Sequence, residues 1–152
     1  MKKRLFAFLL ILCMAIAITL PALADDSKNV TVFIQTGDYA LTVVTFAPEG
    51  DHNNLPNDAR FGKIEVTYQA NYAAKLNVKF DRILKNGVGA ITGNFVVHDM
   101  NNAPLNGDGN ENIPLSASPE STVILPVFLV GAAPQTLGRH TGLVTIVIGA
   151  AS

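Results

Sequence analysis

Three histidines, one cysteine and a short run of oxygen-bearing side chains are the residues of this chain best suited to chemistry. His52, His98 and His140 carry imidazoles, which shuttle protons and bind metals near neutral pH. Their spacing makes neither H-x-H nor H-E-x-x-H. They are expected in a loop, at a strand end and in a loop, as solvated surface groups. The run Asn106-Gly107-Asp108-Gly109-Asn110-Glu111 offers oxygen ligands between glycines, as a calcium loop would. It lacks the EF-hand order of acidic residues at alternate positions with a closing Glu, and it reads as a flexible Asn/Gly loop. There is no G-x-S-x-G elbow and no P-loop. Asp81-Arg82 and Asp58 with Arg60 read as surface charges. Asn29-Val30-Thr31 is an N-x-T sequon, a signal that has meaning only in a eukaryotic secreted protein, and it is taken as chance. No set of acid, base and nucleophile is visible. The expectation is a non-enzyme with no cofactor and no metal.

The remaining candidate, Cys13, belongs to a different kind of segment. Lys2, Lys3 and Arg4 are followed by an apolar run of 16 residues, 5–20, then Pro21 and Ala22-Leu23-Ala24. A basic start, an apolar stretch and small residues at the cleavage positions are the three parts of a secretory signal. The run falls short of the roughly 20 residues that span a bilayer. Residues 1–24 are therefore read as a signal peptide, cleaved after Ala24. Leu12 stands where a lipoprotein anchor would want a small residue before the cysteine, so Cys13 is expected to leave with the signal. The mature part, residues 25–152, then has no cysteine. It must hold itself by burial or by a partner in a compartment where other small domains use disulfides, and thiolate metal sites are excluded.

Loss of Lys2, Lys3 and Arg4 takes the basic count from 11 to 8 against 12 acidic residues, leaving a mature net charge of −4. With no basic run, nucleic acid is a poor partner.

The elements that would position any site are strands. In residues 29–35, Val30, Val32 and Ile34 share one parity, the period-2 pattern of a strand with one buried face. Gly37-Asp38 interrupts, and a β-branched strand follows at 40–46. Residues 47–57 form a polar loop. Residues 63–68 and 76–80 alternate cleanly, with a turn at 71–74 between them. Asn86-Gly87 is a hairpin signal, and 94–98 reads as a strand. Residues 100–112 are the longest polar stretch, rich in turn formers and with little to bury. A strand at 121–130 contains Pro126, which suggests a bulge or an edge position. Residues 134–140 connect to a final β-branched strand at 141–148. About eight short strands, with no helical periodicity, predict an all-β sandwich or barrel of one domain.

Several of these pieces resemble the subunits of chaperone–usher pili. They are Lys28-Asn29-Val30-Thr31-Val32-Phe33-Ile34, Leu41-Thr42-Val43, the Asn54-Leu55-Pro56 loop before Lys63-Ile64-Glu65-Val66, and Gly138-Arg139-His140-Thr141-Gly142-Leu143-Val144-Thr145-Ile146-Val147. Over nearly the whole mature length the chain is similar to Saf-type and related pilins without a disulfide. Its ending looks like that of colonisation-factor pilins, with His140 where those usually carry Tyr. The resemblance implies an immunoglobulin-like β-sandwich lacking its last strand, residues 39–152, preceded by an N-terminal extension, residues 25–38. That extension would complete a neighbouring subunit as its donor strand.

On this reading Val30, Val32 and Ile34 are the donor residues, and Leu41, Val43, Val144, Ile146 and Ile148 wall the acceptor groove. The implied partners are identical subunits joined head to tail, a periplasmic chaperone, an outer-membrane usher and, for an adhesive subunit, a host receptor. The implied location is a fimbrium at the cell surface. Two other readings stay open: a complete sandwich whose first strand pairs within its own chain, and a self-contained secreted or periplasmic binding module that recognises its ligand through loops.

Overall fold

Alternation of apolar and polar residues becomes alternation of burial along each strand. The computed structural model describes residues 14–20, 38–50, 55–136 and 138–151. Its elements are β1 (Met14–Leu20), β2 (Tyr39–Pro48), β3 (Arg60–Ala70), β4 (Ala74–Phe80), β5 (Ile83–Asn86), β6 (Ile91–Val97), β7 (Ile113–Leu115), β8 (Ser118–Val130) and β9 (His140–Ala150). Among the described residues there is no helix, and all strand pairing is antiparallel. The all-β expectation holds.

The strands pair in the order β2-β3-β8-β6-β5-β9-β4-β7, with β1 added on β9. Ile64, Val66, Leu76, Val78, Phe95, Leu125, Val144 and Ile146 are fully buried and belong to one apolar cluster that draws on β2 to β9. With burial of a side chain such as Leu, Ile or Phe stabilising by about 1.5–3 kcal/mol, this cluster is the main source of cohesion in a fold whose described residues contain no disulfide.

Three local features position the site. In β2 the register shifts between Leu41 and Val43. A bulge of this kind reverses which residues face the core. Leu41, Val44 and Phe46 are buried, while Val43 is 47% exposed. The assignment of Val43 to the groove wall beside Leu41 is therefore corrected: unbroken alternation would have kept the two on one face, and the bulge separates them.

A second bulge, between Arg60 and Gly62 of β3, lies opposite Phe128 and Val127 of β8. Pro126, next to it, is buried in an interior strand. The ladder is regular at Pro126 itself, with the extra residue on β3, so neither a bulge at this proline nor an edge position is found. The Pro126 carbonyl accepts from the His98 N–H at 2.8 Å. A strand residue turns its N–H and C=O to the same neighbour, so the missing proline N–H faces the place where β6 has already ended.

The third feature is the polar stretch at 100–112. It carries Leu105, 7% exposed, into the core. Gly107 sits against the Phe80 ring, and its carbonyl accepts from the Phe80 N–H at 3.0 Å. The Arg82 guanidinium donates to the carbonyls of Asn106 at 2.8 Å and Leu105 at 3.4 Å. Glu111 accepts from the N–H groups of Asn106 and Gly107. The backbone N–H of Asn110, then its side-chain amide, hold the Asp108 carboxyl below its usual range. The expectation of a flexible loop with little to bury is overturned: turn-forming residues supply local partners, and one leucine supplies the anchor.

Candidate strand-accepting site

Along residues 140–146, β9 carries a ladder on each of its two sides. β9 is β-branched and strictly alternating: His140, Gly142, Val144, Ile146 and Ile148 are buried, and the residues between them are partly or well exposed. Its residues 144–150 pair with β4, and Thr141 and His140 pair with β5. Its residues 140–146 also pair with β1. Two ladders at the same residues must lie on opposite sides. β4 and β5 therefore run end to end along one side of β9, and β1 runs along the other, where it also meets β2.

The register of the added strand is fully defined. Met14 lies opposite Ile146, Ile16 opposite Val144, Ile18 opposite Gly142 and Leu20 opposite His140. Met14, Ile16, Ile18 and Leu20 stand opposite the buried set of β9, and Ala15, Ala17 and Thr19 opposite the residues between them.

Gly142 shapes the floor of this site. A Cβ at Gly142 would stand 2.5 Å from Cε1 of Phe95, a ring that is itself fully buried. His140 closes one end. It is 4% exposed and opens β9, so its assignment as a solvated loop residue is corrected. Its Nε2 lies 2.9 Å from the Thr136 carbonyl, which can only accept. Nε2 therefore donates to that carbonyl, and Nδ1 lies 2.8 Å from the Thr92 hydroxyl oxygen. Burial is tolerated because both ring nitrogens are partnered.

The sequence-derived groove residues fall as follows. Leu41 is buried on β2, and Val144, Ile146 and Ile148 are buried on β9, all within the one core cluster. Val43 faces away. Val30, Val32 and Ile34 lie outside the described residues, as does His52. His98 directly follows β6, with its ring 4.3 Å from that of Phe128 and its Nδ1 2.9 Å from the Asn102 carbonyl oxygen. Sequence reasoning missed Gly142, Thr92 and Phe95 as parts of the site. A glycine in the middle of a β-branched strand was the available signal, since such a glycine marks a close approach. Among the described residues no three or more His, Cys, Asp or Glu side chains gather to hold a metal ion.

Compared with known protein families, with curated proteins and with solved structures, the chain matches none.

Proposed function

We propose that the chain is a structural subunit of a bacterial surface fibre, an incomplete immunoglobulin-like sandwich that is completed by a strand from a neighbouring copy. The observation that carries this reading is the pairing of residues 140–146 of β9 with Met14–Leu20. That segment is the apolar core of a secretory signal by sequence. Once it is cleaved, one side of β9 has no strand. Unpaired backbone groups and an uncovered apolar floor favour capture of another extended segment, which satisfies both at once. The extension at residues 25–38 has the required pattern: Val30, Val32 and Ile34 at alternate positions, each contributing about 1.5–3 kcal/mol if fully buried.

Chain reach favours a donor in trans. Tyr39 pairs with Ala70, and the turn after Ala70 leads to Ala74, which pairs with Ala150. β2 therefore begins at the Ala150 end of β9. A strand seated in the sense of β1 finishes at the opposite, His140 end, about 30 Å away along β9 at strand rise. Five residue steps separate Ile34 from Tyr39, a reach of at most about 18 Å. The extension is too short to fill its own site in that sense and long enough to fill a neighbour's. Head-to-tail contacts that do not close on themselves build a fibre. A periplasmic chaperone would hold the site before assembly, an outer-membrane usher would order the additions, and no catalysis is involved.

The test is a pair of substitutions in the extension, Val32→Asp and Thr31→Asp, read by size-exclusion chromatography and electron microscopy of the exported protein. Val32→Asp should abolish polymer while leaving the subunit folded and soluble with its chaperone, because the cost of a buried unpaired carboxylate falls on the contact between subunits. Thr31→Asp, on the other face, should be much milder. Equal damage from both, unfolding of the Val32→Asp subunit, or a stable wild-type monomer would overturn the proposal. The last outcome would favour the self-contained binding module.

A further inference from the structure

Two Asn-Gly pairs stand in the chain, Asn86-Gly87 and Asn106-Gly107. In such a pair the glycine nitrogen can approach the side-chain amide carbon of the asparagine, because no Cβ stands in the way. The fold treats the two pairs in opposite ways. Gly107 is buried against the Phe80 ring. Its N–H donates to a Glu111 carboxylate oxygen at 3.1 Å, and its carbonyl accepts from the Phe80 N–H at 3.0 Å. The Arg82 guanidinium holds the Asn106 carbonyl at 2.8 Å. The nitrogen of this pair is engaged, and freeing it means opening the loop.

At the tip of the β5–β6 hairpin the nucleophile is free and the amide is held. Gly87 is exposed, its N–H has no partner among the described residues, and nothing lies within 4 Å of where its Cβ would be. The Asn86 backbone is anchored: its N–H donates to the Ala90 carbonyl at 3.0 Å, and its carbonyl accepts from the Gly89 N–H at 2.8 Å. Its side-chain Oδ1 accepts from two further backbone N–H groups, of Val88 at 3.1 Å and of Ala90 at 3.2 Å. Two N–H donors on one carbonyl oxygen stabilise the negative charge that gathers there when a nucleophile adds to its carbon.

We propose that Asn86 is a site of spontaneous covalent modification, closing on the Gly87 nitrogen as a cyclic imide and reopening with water as an aspartyl or isoaspartyl residue. The Gly87 nitrogen gives up its proton and bonds to Cγ of Asn86, with the charge held on Oδ1. The Cγ–Nδ2 bond then breaks, and the amide nitrogen leaves with a proton as ammonia. Water adds to one of the two imide carbonyls. Opening at Cγ restores the main chain and leaves Asp, while opening at the main-chain carbonyl routes the chain through the side chain. Either way one amide and one water become one carboxyl and one ammonia, with no enzyme or cofactor. Asn86 is the β5 residue opposite buried His140, so the new carboxylate arises where β5 and β9 meet. The inference is independent of the fibre reading.

The exported protein, purified and incubated in mildly alkaline buffer, is sampled over time and mapped by proteolysis and mass spectrometry, beside a portion kept unfolded in guanidinium chloride. In the unfolded chain the two pairs should react at similar rates. In the folded protein Asn86 should react at least as fast as in the unfolded chain, giving separable aspartyl and isoaspartyl forms of one peptide. Asn106 should be slowed by at least about tenfold on folding, because its reaction waits for the loop to open. Gly87→Ala, whose new methyl group meets no atom within 4 Å, should stay folded and slow the change at Asn86. A rate at Asn86 well below that of the unfolded chain would overturn the proposal and show that the turn protects the amide. Equal rates at the two pairs in the folded protein, or the parent rate in Gly87→Ala, would overturn it as well.

Discussion

Gly142 and His140 show how tightly the floor of the site is fitted. The space a side chain would need at Gly142 is taken by Phe95, while at Gly149, on the same strand, nothing lies within 4 Å. Gly142→Ala should lower stability by about 1–3 kcal/mol, the usual cost of overpacking a filled core. Gly149→Ala should be neutral or mildly stabilising. Urea unfolding midpoints of the two variants check this, and equal midpoints would count against the placement of Phe95. His140 was not legible as a buried residue. Its partners, Thr92 and Thr136, come from another hairpin and a connecting loop, and no spacing in the sequence announces a pairing across 48 residues.

The strands β2, β3, β4, β6, β8 and β9 were legible because alternation is a local signal, written in each strand's own residues; the short β5 and β7 were not, and the strand read at 29–35 lies outside the described residues. The turns at Asn71 and at Asn86-Gly87 were legible for the same reason. The bulges were not, because a bulge belongs to a pair of strands. β2 alone does not reveal that Leu41 and Val43 part company; only its ladder with β3 does. Val44→Asp should therefore cost several kcal/mol, as an unpaired buried carboxylate does. Val43→Asp should stay within about 0.5 kcal/mol of the parent, as exposed substitutions do. Thermal melts would separate the two, and the reverse order would refute the bulge. The stretch at 100–112 failed for a related reason: its composition is that of a free loop, and its anchors, Phe80 and Arg82, lie on other elements. Deletion of residues 106–110 removes the Gly107 contact and the Asn106 carbonyl that Arg82 grips. It should lower the melting temperature by several degrees, as the loss of about 1 kcal/mol or more does in a domain of this size.

At the scale of the whole molecule, the proposed fibre would make stability and assembly share one strand. Residues 140–146 of β9 have partners on both sides when β1 is seated, and on one side once it leaves. Hydrogen exchange should therefore split the amides of β9 into two groups in an isolated, processed subunit. Those turned toward β4 and β5 should stay protected and those turned toward the vacated side should exchange fast, while fibres should protect both. Uniform protection in the isolated subunit would mean that another part of the same chain closes the sheet.

The antiparallel seating of β1 has a consequence best put in the language of polymer chemistry. With Met14–Leu20 in place, the chain ends that strand at His140 and must return about 30 Å to begin β2 at the other end of the sheet. On the fibre reading proposed above, the unprocessed molecule would have a functionality of zero, its slot filled by its own leader. One cut after Ala24 would then make the monomer difunctional, with one slot and one tail. Each junction would consume one of each, so a fibre of any length would keep one slot and one tail, at opposite ends.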